Sequence, residues 1–182
     1  MFIGQFPVPG DEPRLAYLFL HEEDIVMGGM DPQDGDGVLL VQPGGRIPPF
    51  AVIGPPGTRG RTLWRWGPGH STILVEWHVD LQPVPPQVDR SIDAQAAWER
   101  SMRGDGPDAE LPGGEDLHDY VGGAANYPNL YARVDVPWQF LFKISDAAGG
   151  YDAPYFLNFG YGYGYGFVSP DHREGRFFWD CP

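Results

Sequence analysis

Three arginines that alternate along one short stretch are the residues of this chain best placed to bind an anion. Arg59, Arg61 and Arg65 lie in a strand candidate, Thr58–Trp66, where alternation puts all three on one face. Arginine side chains bind carboxylates and phosphates at two points through their planar forks. The pattern predicts an exposed arginine patch. The alternatives are an ordinary solvated strand face, or pairing with the acidic segment Asp105–Asp119 of the same chain.

Two histidines near the arginine row extend the candidate binding site. His70 follows the turn Gly67-Pro68-Gly69, and His78 falls in the next strand candidate, Thr72–Asp80, on the same face as Glu76. Imidazole and carboxylate groups bind zinc, but no HExxH or other paired-ligand motif accompanies them. We therefore expect His70 and His78 to contribute to ligand or partner binding, and we predict no metal site.

No assembled catalytic motif occurs in the sequence. The polar group His21–Asp24 places acid–base groups together, but four polar residues that close a strand are typical of a solvated turn. Ser71 lacks the Gly-x-Ser-x-Gly setting of a serine nucleophile, and Cys181 lacks a neighbouring base. The repeat Gly160–Gly166 has the wrong spacing for a dinucleotide fingerprint. We predict no catalytic residues and no cofactor, and we favour a binding protein over an enzyme.

The charge of the chain favours some partners and excludes others. The formal net charge is −13, which repels phosphate backbones and argues against general nucleic-acid binding. The segment Gly37–Val75 holds four arginines and no acid, whereas the rest of the chain holds all 25 acids and the other 8 of the 12 basic residues. Such a segregated charge pattern suits the electrostatic steering of a charged protein partner.

The sequence also predicts a cytoplasmic protein. Cys181 is the single cysteine, so no internal disulfide and no cysteine-based zinc site can form, and a reducing compartment is expected. Pro7, Pro9 and Pro13 interrupt the apolar N-terminus, which therefore does not resemble a signal peptide. No run of about 18 apolar residues occurs, so we expect no membrane-spanning segment.

Composition and pattern predict one mainly β domain of the α+β class. The 182 residues include 26 glycines and 20 prolines, which indicate many short elements joined by tight turns. The one clear helix candidate is Asp89–Arg103, which Asp89 or Ser91 can cap and Gly104 can end. The strand candidates are Phe2–Phe6, Leu15–Leu20, Val38–Gln42, Thr58–Trp66, Thr72–Asp80, Trp138–Ile144 and part of Tyr155–Val168.

The two middle candidates predict a hairpin across Gly67-Pro68-Gly69. Trp64 and Trp66 fall opposite the arginines and are expected to point into the core. The second strand is expected to present one apolar face, formed by Ile73, Val75, Trp77 and Val79.

The last part of the chain, Trp138–Pro182, carries the most distinctive strand pattern. Tyr161, Tyr163 and Tyr165 alternate with glycines, so in a strand the tyrosines share one face and the opposite face is nearly bare. A bare face lets an aromatic ring or another backbone approach closely. We predict a strand in which at least one tyrosine is buried with its hydroxyl hydrogen-bonded; the alternative is a flexible glycine loop.

An internal repeat relates the two ends of the chain. The stretch Met1–Phe6 matches Gln139–Ile144 in pattern, and a glycine- and proline-bearing turn follows each. Leu15–Leu20 then parallels Tyr163–Val168, with acids after both. The repeat predicts two superposable pairs of strands related by an approximate two-fold axis. The alternative is a chance match of two generic β-hairpins.

At these residues the chain resembles the YwqG-like (DUF1963) family of bacterial proteins of unknown function. That family has a Gly-Gly-x-Pro element, an apolar strand ending in Gln-Ile, a glycine-rich turn and an aromatic strand. Val121–Pro128 resembles the first element with its proline displaced, and Trp138–Ile144 resembles the second with Lys143 in place of the usual glutamine. In the N-terminal copy Gln5 stands at the expected place.

The resemblance implies a single domain, 1–182, with two pseudo-symmetric β-rich halves, about 1–45 and 120–182, around a middle segment 46–119. It implies no established activity, and some relatives are encoded near secreted-toxin systems. The family pattern also has a Gly-Gly element before the first copy. We therefore expect either that this segment was lost or that a longer natural chain starts upstream of Met1.

These observations predict a non-catalytic cytoplasmic binding protein whose partner is another protein. The resemblance implies a toxin as that partner, in an immunity or antitoxin role. The alternative is a small-ligand binding domain for a sugar, a nucleotide or another small anionic ligand, with or without hydrolase activity. The candidate binding residues for either are Arg59, Arg61, Arg65, His70 and His78.

Overall fold

The computed structural model describes the ranges 1–11, 14–20, 37–42, 63–77, 79–83, 119–127, 136–146, 155–157 and 162–180, together with residues 103, 134 and 159. Of these residues 52% lie in strands and 3% in helical turns, so the prediction of a mainly β fold is confirmed. The predicted helix Asp89–Arg103 lies outside the described residues except for Arg103, which is in a turn. The 3₁₀ turn Pro68–His70 is the one helical element in the part that is described.

The described strands form three antiparallel sheets. The N-terminal sheet has the order β1-β2-β3, the middle hairpin pairs β4 with β5, and the C-terminal sheet has the order β6-β7-β8-β9. The strands are β1 (Phe2–Val8), β2 (Arg14–Leu20), β3 (Gly37–Val41), β4 (Trp64–Trp66), β5 (Thr72–Leu74), β6 (Tyr120–Val121), β7 (Gln139–Ser145), β8 (Tyr163–Val168) and β9 (Gly175–Asp180).

Most of the described strands were predictable from the apolar pattern. The candidates at both ends of the chain are confirmed as β1, β2, β3 and β7, and the tyrosine–glycine repeat as β8, although Tyr161 lies outside the described residues. Strands β6 and β9 have no counterpart in the prediction, because β6 has only two residues and β9 begins and ends with polar or charged positions. The helix prediction stays untested.

The N-terminal sheet and the last three strands of the C-terminal sheet pair in the same register. Positions 138 apart correspond in β1 and β7 and in β3 and β9, and positions 148 apart correspond in β2 and β8. Both ladders are interrupted at the corresponding place, between Phe2 and Gly4 and between Phe140 and Phe142. The corresponding pairs include Phe2↔Phe19 with Phe140↔Phe167, Gln5↔Tyr17 with Lys143↔Tyr165, and Leu20↔Gly37 with Val168↔Gly175.

The main core lies between these two sheets. Leu18 of β2 and Leu141 and Phe142 of β7 are fully buried in one apolar cluster. The ring of Phe6 stacks on that of Phe142 with 3.7 Å between centroids. Burial of apolar surface contributes about 25 cal/mol per Å², so this cluster is the main force that holds the sheets together.

The glycine face of β8 is part of the core, as the alternation predicts. A methyl group added at Gly164 would stand 2.7 Å from the ring of Phe177, and one added at Gly166 would overlap the ring of Phe142. No side chain fits at these positions without displacing an aromatic ring. The glycines of the repeat therefore make room for rings from β7 and β9.

The tyrosine face of β8 lies under a second apolar cluster. Tyr165 and Phe178 are fully buried, and the ring of Tyr127 lies 5.1 Å and 6.1 Å from theirs. The hydroxyl of Tyr165 donates a hydrogen bond of 3.0 Å to the carbonyl oxygen of Asn126. The prediction of a buried, hydrogen-bonded tyrosine in this strand is confirmed.

Candidate functional site

The predicted arginine row lies largely outside the described residues. Arg59, Arg61 and His78 are not among them, so the predicted patch stays a prediction. Arg65 lies on β4, half-buried, opposite Ile73 of β5. The structure therefore describes only Arg65 of the three arginines, on the hairpin, and their predicted common surface stays a prediction.

The tryptophans of β4 pack against a residue that precedes β8. The ring of Trp64 stacks on Phe156 with 4.5 Å between centroids, and the carbonyl oxygen of Trp64 accepts a 2.7 Å hydrogen bond from the backbone N–H of Phe156. Trp66 lies edge-on to Trp64 at 5.0 Å. Both indoles are half-buried, so they anchor the hairpin to the body of the fold from its flank.

His70 stands at the tip of the hairpin turn. It is exposed, has a left-handed φ of 59°, and its ring lies edge-on to Trp66 with 6.2 Å between centroids. A left-handed conformation is uncommon for a residue with a side chain, and the turn explains it here. The exposed position suits a surface contact.

The predicted apolar face of Thr72–Asp80 is wrong beyond its first residues. Strand β5 ends at Leu74, and the last hairpin hydrogen bond runs from the N–H of Val75 to the carbonyl oxygen of Leu63, at 2.8 Å. Trp77 is 52% exposed and Val79 78% exposed. The alternation continues in the sequence, but the ladder that would make it a strand face does not continue with it.

An open groove runs between this segment and β1, with a volume of about 670 Å³. Residues 75–77, 79 and 80 form one wall and the stretch Phe2–Phe6 the other. Ile144, Tyr155 and Leu157 line the groove between them. The groove is not evident in the sequence, because its walls come from separate parts of the chain and no local pattern marks it.

The groove is apolar along its length and carries acidic side chains on one wall. Glu76 and Asp80 are exposed and line it, as does the exposed Gln5 of β1. Burial raises the pKa of the Tyr155 phenol above its usual value, and the charge of Asp119 raises that pKa further. Tyr155 is therefore neutral at pH 7. The groove offers apolar surface, a hydroxyl and negative charge.

Two buried charges lie on the outer face of the C-terminal sheet. The ammonium of Lys143, 1% exposed, lies 3.8 Å from the ring centroid of Tyr163, and Asp180 is fully buried in the next strand but one. A lysine at an otherwise apolar strand position was the sequence signal for this pair. Burial of an ionisable group carries a desolvation cost, so both positions are costly unless the surrounding groups compensate the charge.

The described residues contain no group of three or more histidine, cysteine, aspartate or glutamate side chains that could hold a metal ion. Within the same residues no helix is long and apolar enough to cross a membrane.

Comparisons with protein-family models, with curated proteins and with solved structures found no match to this chain.

Proposed function

We propose that this chain is a non-catalytic binding protein that docks another protein in the groove beside β1. The observation that carries the proposal is the groove itself: apolar walls on an edge strand, with exposed Trp77 and Val79 on one side and acidic residues beside them. Exposed apolar surface rimmed by polar groups is typical of protein interaction sites. A cytoplasmic immunity or antitoxin role, with a basic toxin as partner, belongs to the same proposal.

The composition of the groove favours a protein partner over a small anionic ligand. Neither Arg65 nor His70 lines it, and the charged side chains among its described lining residues, Glu76 and Asp80, repel anions. The net charge of −13 adds long-range attraction for a basic partner. The small-ligand alternative depends on Arg59, Arg61 and His78, which lie outside the described residues, and it predicts an anion site at those side chains.

We further propose that the fold is one domain of two pseudo-symmetric halves, as the YwqG-like resemblance implies. Support comes from the common register of the two sheets and from their corresponding ladder interruptions. Support also comes from reciprocal contacts at the junction of β3 and β9. A Cβ at Gly37 would meet Phe177, and a Cβ at Gly175 would meet Leu39, which are corresponding pairs. A two-fold axis generates contacts of this reciprocal kind.

The proposed function is tested by blocking the groove with one substitution. Val79→Arg adds bulk and positive charge at an exposed groove position, and Val136→Arg makes the same change at a site that is 90% exposed and does not line the groove. Affinity capture from the native cell lysate, with quantitative mass spectrometry, should recover a protein that Val136→Arg retains and Val79→Arg loses.

Two outcomes would contradict the proposal. Equal recovery by both variants would place the partner elsewhere on the surface. Capture of a small anionic ligand that survives Val79→Arg would favour the alternative instead. Thermal unfolding of both variants checks that neither substitution alters the fold.

A further inference from the structure

The free side of β1 presents backbone groups to the groove. Among the described strands β2 is the only neighbour of β1. Backbone N–H and C=O groups of successive residues in a strand point to opposite edges. Pro7 lacks an N–H and is tolerated in β1 where its nitrogen faces the free edge. Gln5, two residues earlier, therefore directs its N–H and C=O away from β2 and into the groove.

The corresponding edge of the C-terminal sheet is already occupied by a strand. β6 pairs antiparallel with β7, and the N–H of Gly122 donates a 2.7 Å hydrogen bond to the carbonyl oxygen of Leu141. Tyr120 pairs with Lys143 and Val121 with Phe142. The positions of β1 that correspond to Leu141, Phe142 and Lys143 are Ile3, Gly4 and Gln5, and all three line the groove.

The side chains of β6 indicate which residue types a strand added to β1 would place on the inner and outer faces of the sheet. Val121 packs against the main core, whereas the ring of Tyr120 lies on the outer face, 5.5 Å from the ring of Phe140. Phe2 corresponds to Phe140 in the N-terminal sheet. A strand added to β1 in the same way would place an aliphatic residue inward opposite Gly4 and an aromatic residue outward beside Phe2.

Resting on the proposed function, we propose that the partner contributes a basic, extended segment that adds to β1 as an antiparallel strand, with backbone pairing centred on Gln5. Backbone bonds to a sheet edge supply affinity in this mode of recognition, and alternate side chains supply specificity. Glu76 and Asp80 on the facing wall select positive charge at the ends of the segment.

A peptide copied from the chain's own β6 segment and flanked by lysines is the direct probe. The peptide Lys-Tyr-Val-Gly-Gly-Ala-Ala-Asn-Tyr-Lys reproduces 120–127. Calorimetric titration should show saturable binding to the whole chain. The same peptide with glutamate at both ends should bind several-fold more weakly, and added salt should reduce that difference.

Two matched protein variants separate backbone pairing from side-chain contact. Gln5→Pro removes the outward N–H and should weaken binding about tenfold, the effect of about 1.4 kcal/mol. Gln5→Ala keeps the N–H and should bind within about twofold of wild type. Circular dichroism and thermal unfolding check that both variants fold.

Backbone methylation of the peptide gives the same test without altering the protein. N-methylation at the first glycine removes the N–H that in Gly122 bonds to Leu141, and N-methylation at the first tyrosine removes the N–H that strand alternation directs to the same side. N-methylation at the valine removes an N–H that points away. The first peptide should lose about tenfold in affinity and the second should lose little.

Absence of binding by the lysine-flanked peptide would overturn the proposal. So would equal affinity of the two methylated peptides, and the groove could then still bind a partner through side chains, which Val79→Arg tests separately. A concentration-dependent dimer that Gln5→Pro abolishes would assign the edge to a second copy of this chain, and would overturn the proposal as well.

Discussion

The N-terminal and C-terminal sheets share a register but differ in what covers their outer faces. Phe167 and Phe178 of the C-terminal sheet are almost fully buried, whereas the corresponding Phe19 and Leu40 of the N-terminal sheet are 37% and 54% exposed. The segment that carries Tyr127 covers the first pair. Strand pairing alone therefore does not determine whether the outer face of a sheet is buried. The face is buried where another segment covers it, and in the described part of the chain only the C-terminal sheet has such a segment.

The polar residues of the two outer faces follow the same division. Lys143 and Asp180 are buried in the C-terminal sheet, and the corresponding positions in the N-terminal sheet are Gln5, which is exposed, and Gln42, which is half-buried. A buried charge carries a desolvation cost that a neutral amide at the surface avoids. The covered face thus buries an ammonium and a carboxyl group, whereas the open face carries neutral amides at the corresponding positions.

The largest loss of stability is expected from substitutions in the central strands β2 and β8, where a leucine side chain corresponds to a glycine. Leu18 and Gly166 correspond, and both face the core. Leu18→Ala should reduce the free energy of unfolding by about 2–5 kcal/mol, because it leaves a cavity. Gly166→Ala should reduce it by about 1–3 kcal/mol, because the added methyl overlaps the ring of Phe142. Urea unfolding measures both, and a neutral Gly166→Ala would contradict the close packing of that ring.

The next largest difference in stability is expected between substitutions on the covered and the open outer face, at Tyr127 and at Phe19. Tyr127→Ala should cost about 2 kcal/mol, because the half-buried ring packs on Tyr165, Phe167 and Phe178. Phe19→Ala, the matched change on the open face, should cost about 1 kcal/mol or less. Urea unfolding of the two variants provides the comparison. Equal losses would indicate that the face of the N-terminal sheet is covered in solution.

The sequence predicted the strands that have a regular apolar pattern. The alternation of tyrosine and glycine predicted that at least one tyrosine is buried and that the glycine face allows close approach; Tyr165 and the rings of Phe142 and Phe177 fill these roles. The pattern failed after Leu74, where it continues although the pairing does not. Alternation in the sequence indicates which residues would share a face if the segment were a strand. Whether the segment is a strand depends on hydrogen bonds to a neighbouring strand.

The groove was beyond sequence-based prediction because it is a relation between distant segments. Its lining joins residues from the start of the chain, the middle hairpin and the stretch before β8. The candidate residues chosen from the sequence were charged, since charge is visible in a sequence. The surface that the fold leaves open beside β1 is mainly apolar, and apolar residues are assigned to the core by default.

A smaller contrast is expected at the two corresponding tyrosine hydroxyls. Tyr165 donates to the carbonyl oxygen of Asn126 at 3.0 Å from a fully buried position, and Tyr17 donates to the Gln42 side chain at 2.6 Å on the open sheet. Tyr165→Phe should cost about 1–2 kcal/mol, because it leaves a backbone carbonyl without this donor in a buried site. Tyr17→Phe should cost less than about 1 kcal/mol, since water can replace the lost bond. Thermal unfolding measures both, and a reversed order would contradict the difference in cover.

The smallest change in stability is expected from the ionisation of Tyr155, which lies beside β1, and from its neighbour Asp119, which contacts β7. Tyr155 lines the groove, and the carboxylate of Asp119 accepts a 2.6 Å hydrogen bond from the N–H of Ser145 on β7. Burial, and then the charge of Asp119, raises the pKa of Tyr155 above 10.0, so the folded state disfavours its ionised form. The unfolded chain ionises first as the pH rises, and the stabilisation is present below about pH 10 and lost as the pH passes through the folded-state pKa.

Wild type should therefore lose more stability than Tyr155→Phe above about pH 10 in urea unfolding series. Asp119→Asn should narrow that difference, and parallel losses in wild type and Tyr155→Phe would contradict the burial of this phenol in the groove.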